Sequence, residues 1–256
     1  MKMKSPKAAI NLLRTKLWLE ALSRDTGLDY TRLEEEIASN SERSGLVRKW
    51  RNGSHCVTER KVLQIARLFP GSEEIFQLPL FVLLENRSIS RKELLRIMKH
   101  YVNPGDPFQF WQLPKNFKER TDGTDMPVPL EDYLDCLYER GGIFSFISIL
   151  YIVRRAEAEG NHLLHIEAVR YAYKSFPSLA RHPDFITHWR EILSAFEKVH
   201  WRLIPTGLLL APDREILQAQ IEAPSFFTSR VHPDHSKYSA VISLHENEDP
   251  IIVAEQ

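Results

Sequence analysis

Apolar residues recur at three- and four-residue spacing along most of the chain, which is typical of amphipathic helices. Near the amino terminus, Leu13, Leu17 and Ala21 form one such stripe, and Gly27 ends it. The most regular stripe lies in the second half of the chain and consists of Phe185, Trp189, Ile192, Phe196 and Val199. Only residues 238–244 alternate loosely between polar and apolar. The pattern predicts a mainly α fold with a short strand near the carboxyl terminus.

Capping signals divide the first hundred residues into short helices. Thr58 is a small hydroxyl residue placed before an apolar stripe, and it predicts the start of a helix. Ser90 and Glu93 have the spacing of a capping box, which predicts another helix start. Further helices are predicted over residues 31–38 and 45–51.

Proline marks the boundary between two parts of the chain. Five of the 15 prolines fall within residues 103–129, where no helical or alternating period survives. Phe108, Phe110 and Trp111 give this segment more apolar surface than a free linker retains, so we expect an ordered connection. The predicted organisation is a helical domain over 1–102, the connection over 103–129, a helical domain over 130–222 and an irregular tail over 223–256.

Charge is separated along the chain although the total is balanced. The sequence has 34 basic and 34 acidic residues, yet residues 1–70 contain 14 Lys or Arg against 8 Asp or Glu. A cluster of cations attracts phosphate backbones, because each neutralised phosphate releases condensed counterions. The positive part of the chain therefore indicates a nucleic-acid contact or, as the alternative, a solvated helix surface.

The cysteines and the most apolar run indicate the compartment of the protein and whether it spans a membrane. Cys56 and Cys136 are too few for a disulfide scaffold and lack the C-x-x-C spacing of a structural zinc site, which favours a reducing, cytoplasmic compartment. The most apolar run, residues 143–153, is about half the roughly 20 residues that a membrane span needs. We therefore expect a buried core helix in this run and no membrane partner.

Chemical motifs are scarce. The sequence contains no pattern for nucleotide binding, zinc proteolysis or serine hydrolysis. His162 and His165 have a spacing that can place two ligands on one helix face, and His232 and His235 lie close together in a polar segment. We interpret the first pair as solvent-exposed and the second as part of an ordinary turn. Residues 34–36, three glutamates, are interpreted as a solvated helix face. We predict no metal, no cofactor and no catalytic residue. An enzyme is a third alternative, and its only support is the length of chain to which no role is assigned.

One segment carries a resemblance to a known family. The short basic helix ends in a Trp-x-x-Gly element at Trp50 and Gly53. The next predicted helix resembles the form x-x-Leu-x-x-Ile-Ala, and the residues matched to it are Leu63, Ile65 and Ala66. Over residues 17–76 this pattern resembles a lambda-repressor-like, Xre-type helix-turn-helix domain, and the whole chain is similar to a group of proteobacterial proteins, which implies no activity. The turn, residues 39–45, is longer and more polar than in the family.

The resemblance implies a domain of four or five helices in which Trp50 anchors the core and a recognition helix meets DNA. In such a helix, Arg can pair with guanine in the major groove while neighbouring groups bind phosphates. The candidate DNA contacts are Arg43, Ser44, Arg48, Lys49, Arg51 and Asn52.

Two hypotheses follow for the function. In the first, the protein is a prokaryotic transcriptional regulator that contacts duplex DNA through residues 43–52, while the helices in 130–222 dimerise or bind an effector. In the second, it is a non-enzymatic interaction component with a helix-turn-helix scaffold, and its carboxyl-terminal helices dock a second copy or another protein.

Overall fold

The computed structural model describes residues 6–38, 45–99, 130–203, 208–222, 229–231, 240–242 and 251–255. The predicted fold class, mainly α, is confirmed. The helices of the first hundred residues are α1 (Pro6–Thr26), α2 (Tyr30–Ile37), α3 (Leu46–Arg51), α4 (Glu59–Ala66), α5 (Glu74–Gln77), α6 (Leu80–Leu83) and α7 (Arg91–Met98). The later helices are α8 (Leu130–Arg140), α9 (Gly142–Glu159), α10 (His162–Ala180), α11 (Trp189–His200), which a short 3-10 turn at Ile186–His188 precedes, and α12 (Arg214–Glu222).

Short antiparallel strand pairs lie near the carboxyl terminus. The strands of the described residues are β1 (Leu208–Pro212), β2 (Ser229–Val231), β3 (Ala240–Ile242) and β4 (Ile251–Glu255). β3 lies within the predicted strand over 238–244 and pairs with β2. β1 pairs with β4, which lies in the predicted tail beyond the predicted strand. The apolar β-branched residues of β4 favour a strand once a partner such as the leucine-rich β1 is available.

The chain divides into two compact units. The first consists of Met1–Asn86 together with Pro183–Ala195, and the second of Arg87–His182 together with Phe196–Gln256. The predicted connection over 103–129 and the limits at 102 and 130 lie in or beside residues 100–129, which are outside the described part of the chain, and they remain predictions.

The core of the first unit is built around Trp18 of α1, which is fully buried. The ring of Trp50 meets it edge-on at a centroid distance of 5.6 Å, and the ring of Phe76 does so at 6.4 Å. These contacts bring α3 and α5 together on α1. One turn earlier, the Arg14 guanidinium lies 3.7 Å from the centroid of the Phe76 ring, and burial lowers the pKa of Arg14 to about 10.

The later segment of the first unit is tied to α1 by polar contacts. Nε2 of His188 lies 2.9 Å from Oε1 of Glu20, and its Nδ1 lies 3.2 Å from Oε1 of Glu191. The hydrogen bond to Glu20 raises the pKa of His188, and Glu191 adds to the effect while burial opposes it. Arg24 of α1 also pairs with Asp184. The segment 183–195 is thus fixed to α1 by the Arg24–Asp184 ion pair and the His188–Glu20 hydrogen bond.

Helix α9 forms the centre of the second unit, because it is buried from Gly142 to Ala156. Phe146 of α9 meets Phe176 of α10 and Phe196 of α11 edge-on, at centroid distances of 5.7 Å and 6.0 Å. The predicted core helix over 143–153 is confirmed. Within the described ranges, no helix combines the length and the apolar character that crossing a bilayer requires.

A polar cluster lies inside the second unit, between α10 and the end of α11. Nε2 of His165 is 3.0 Å from the backbone oxygen of His200, and the Tyr173 hydroxyl is 2.9 Å from Nδ1 of His200. Burial lowers the pKa of His165, and burial together with the nearby His165 lowers that of His200 to about 3. His200 is therefore neutral in the folded protein at neutral pH and acts as a hydrogen-bonding core residue.

Candidate nucleic-acid interface

Helix α3 separates its apolar and charged residues onto two sides. Val47 and Trp50 are buried, and three residues apart on a helix they point to the same side. The exposed residues of α3 and its cap are the predicted contacts Arg48, Lys49, Arg51 and Asn52. Burial of the Trp50 ring against Trp18 therefore turns the basic side of α3 outward.

The amino end of α3 is capped from another helix. Gly45, which precedes α3, has a φ of 62° and offers no side chain for a cap. The Glu34 carboxylate of α2 takes this role, because Leu46 N donates to its Oε1 at 3.0 Å and Val47 N donates to its Oε2 at 2.6 Å. The interpretation of residues 34–36 as one solvated face is thus wrong for Glu34, while Glu35 and Glu36 are exposed.

The carboxyl end of α3 follows the sequence prediction. Asn52 N donates to the Arg48 oxygen at 3.0 Å, and Gly53 N donates to the Trp50 oxygen at 3.1 Å. Gly53 has a φ of 64°, a left-handed conformation that residues with a Cβ adopt at a cost. The Trp-x-x-Gly element is therefore a helix stop whose glycine is required by the backbone.

Three of the predicted contacts line one shallow cavity of about 490 Å³ on the surface of the first unit. Its wall is formed by α2, the start of α3 and the end of α3, and its lining residues are Tyr30, Thr31, Glu34, Gly45, Arg48, Arg51 and Asn52. Lys49 is exposed but does not line the cavity. Arg43 and Ser44 lie outside the described residues.

Tyr30 orders one of the arginines in this cavity. The Arg51 guanidinium carbon lies 4.7 Å from the centroid of the Tyr30 ring, a cation–π contact that contributes about 0.5–1 kcal/mol at an exposed site. Burial raises the pKa of Tyr30, with Glu20 adding to the rise and Arg51 opposing it. A stacked guanidinium keeps its in-plane N–H donors available for a ligand. Tyr30 was not among the predicted contacts, because its contact with Arg51 depends on how α2 packs against α3.

The cations of α3 have no carboxylate partner among the described residues. In the part of the chain that the structure describes, Arg48, Lys49 and Arg51 form no ion pair with a carboxylate. The nearest acid in the cavity is Glu34, whose two oxygens each accept a backbone amide. The cavity therefore presents two guanidinium groups, an amide side chain and the Thr31 hydroxyl, which are groups that bind phosphate oxygens.

Helix α4, which follows α3, begins at the cap that the sequence predicts. Thr58 caps α4, accepting from Lys61 N at 3.3 Å, and Val57 N donates to the Thr15 hydroxyl at 3.1 Å. Val62 and Ile65 are buried, whereas Leu63 is 45% exposed. The leucine of the family pattern stands three residues before the isoleucine, so with Ile65 matched it corresponds to Val62, which packs into the core, and the match of Leu63 is wrong.

The candidate metal ligands do not converge. His162 is exposed and His165 is buried. Among the described residues, no group of three or more His, Cys, Asp or Glu side chains is arranged to hold a metal ion. His232 and His235 lie outside the described residues.

Comparison of the chain with protein-family models, with curated proteins and with solved structures found no match. The resemblance to a helix-turn-helix domain therefore rests on the residues of this sequence alone.

Proposed function

We propose that the protein binds duplex DNA through the outward side of α3, as a prokaryotic transcriptional regulator of the cytoplasm. One observation carries the proposal: Arg48, Arg51 and Asn52 converge on an open cavity in which the arginines have no carboxylate partner among the described residues. Cations that are not paired within the protein are available to replace the counterions of a phosphate backbone, and this exchange favours binding.

The geometry of the cavity also supports contacts with base edges. Arg donates two parallel hydrogen bonds to guanine, and Asn pairs in the same way with adenine. Stacking on Tyr30 already restricts the Arg51 side chain in the free protein, so Arg51 has fewer rotamers to lose on binding. Fewer lost rotamers mean a smaller entropic cost of placing the guanidinium in a groove.

The proposal is tested with the full chain and fluorescein-labelled duplexes, by fluorescence anisotropy at several salt concentrations. The variant Arg48→Ala/Arg51→Ala removes two cations from the cavity. The control Lys92→Ala/Arg96→Ala removes two exposed cations from α7, four residues apart and outside the first unit. Both variants carry the same change of net charge, so general electrostatic attraction is lowered equally.

We expect the wild-type affinity to fall steeply with salt. The cavity variant loses at least about tenfold in affinity, and its salt slope falls by about 1 for each phosphate contact that is removed. The α7 variant keeps nearly the wild-type affinity. Absence of binding at low salt, or equal losses in the two variants, overturns the proposal.

A second candidate function is docking of another protein chain through the carboxyl-terminal helices. It is favoured by two exposed apolar side chains of the second unit, Leu163 at 78% and Trp201 at 49%. The test is sedimentation equilibrium of the wild type against Leu163→Ser/Trp201→Ser. A homodimer that dissociates in this variant supports docking of a second copy, whereas a monomeric wild type overturns this form of the proposal.

A further inference from the structure

We propose that Glu34 is a positioning residue, which holds the amino end of α3 in place and so presents its basic side to DNA. This inference rests on the proposed function for its effect on DNA. The contact itself is a property of the protein alone, and it is tested independently of any ligand.

Helix α3 has only 6 residues, so the unsatisfied N–H groups at its amino end are a large share of its hydrogen-bonding capacity. A helix this short is not stable on its own propensity. Packing of Val47 and Trp50 fixes one side of it, and the carboxylate of Glu34 fixes its start.

Glu34 binds the start of α3 with both carboxylate oxygens at once. Oε1 accepts from Leu46 N and Oε2 from Val47 N, a paired contact that restricts rotation of α3 about its axis as well as its translation. Leu33 and Ile37 are buried on either side of Glu34 along α2, so the helix that carries the carboxylate is itself anchored. The orientation of Arg48 and Arg51 therefore depends on α2.

Glu34 can affect DNA binding through its charge or through the position of α3, and the two predict opposite effects. Glu34 is an acid that lines the cavity proposed for phosphate contact. If it acted only through its charge, its removal would strengthen DNA binding, because one repulsive charge would be lost. If it positions α3, its removal weakens DNA binding although the net charge becomes more positive.

The experiment compares Glu34→Ala with Glu36→Ala, a matched control. Glu36 lies on the same helix, is exposed and carries the same charge. Amide exchange of Leu46 and Val47 is measured by NMR in the full chain, with amides of α1 as a reference for global folding, and DNA affinity is measured on the same samples. Glu34→Gln keeps one acceptor oxygen and serves as the conservative variant.

We expect Glu34→Ala to speed exchange of the two amides by at least about tenfold, because each loses a hydrogen bond to a charged group. The variant also loses several-fold in DNA affinity, Glu34→Gln lies between it and the wild type, and Glu36→Ala shows neither loss. Unchanged exchange in Glu34→Ala, or DNA binding as tight as in Glu36→Ala, overturns the inference. If the wild type binds no DNA, the proposed function fails, and the exchange result alone decides whether Glu34 positions α3.

Discussion

Replacing Trp50 by alanine tests whether the core of the first unit holds the candidate interface in place. Trp50 is 3% exposed, so the substitution removes a tryptophan side chain that is almost wholly buried. It also removes the edge-on contact with Trp18. Truncation of a buried Trp costs about 3–5 kcal/mol, which reflects the lost transfer free energy and the cavity left behind.

This loss is large against the total stability of a typical domain, about 5–15 kcal/mol. The two compact units need not unfold together, so a single transition is not assumed. We would follow urea unfolding by pulsed hydrogen exchange, reporting peptides of α1 and α3 separately from peptides of α9 and α10. The expected result is a lower unfolding midpoint for α1 and α3 and an unchanged midpoint for α9 and α10.

The matched control is Trp201→Ala, which removes the same side chain from a position that is 49% exposed. We expect it to cost less than half as much. A loss below about 1 kcal/mol for Trp50→Ala, the size of an average substitution, would refute the inference that this ring anchors α3.

Three further predictions concern buried polar contacts and a helix cap. Because Glu20 raises the pKa of His188, this contact stabilises the fold fully below the unfolded pKa of about 6.5 and is lost as the pH rises through the raised folded value. His188→Gln should therefore flatten the fall in unfolding free energy above about pH 6.5, and a fall of wild-type size in the variant would contradict this. Thr58→Ala should cost about 1 kcal/mol in urea unfolding of the first unit, and no loss would show that the cap contributes nothing. Tyr173→Phe removes the partner of His200 Nδ1 and should cost about 1–3 kcal/mol in the second unit, whereas a neutral effect would show that the hydroxyl is dispensable.

The faces of the helices were predictable, because burial follows local periodicity. Val47 and Trp50 are three residues apart, so burial of one side of α3 places the charged residues on the other side. The Thr58 cap and the helix stop at Gly53 depend on neighbouring residues only, and both are present. Ser90 likewise accepts from Glu93 N as a capping box requires, while the Glu93 carboxylate binds Arg87 at 2.7 Å and 3.1 Å, a partner that the spacing rule does not foresee.

The residues that complete the cavity were not predictable from the sequence. Residues 34–36 are three identical side chains, and only the packing of α2 decides that the first of them faces α3. The contact of Tyr30 with Arg51 has the same origin. Strand β4 is a related case, because its partner β1 is distant along the chain and no local pattern predicts the pairing. Each of these contacts depends on tertiary packing, which the local sequence pattern does not specify.

The division of the chain into units has a consequence for its synthesis. The first unit is discontinuous, since it needs Pro183–Ala195 in addition to Met1–Asn86. A ribosome adds about 5–20 residues per second, so roughly a hundred intervening residues delay completion of this unit by about 5–20 s. During that interval α1 lacks the contacts that Arg24 and Glu20 make with Asp184 and His188. The first unit is therefore complete only after residues 87–182 of the second unit have been made.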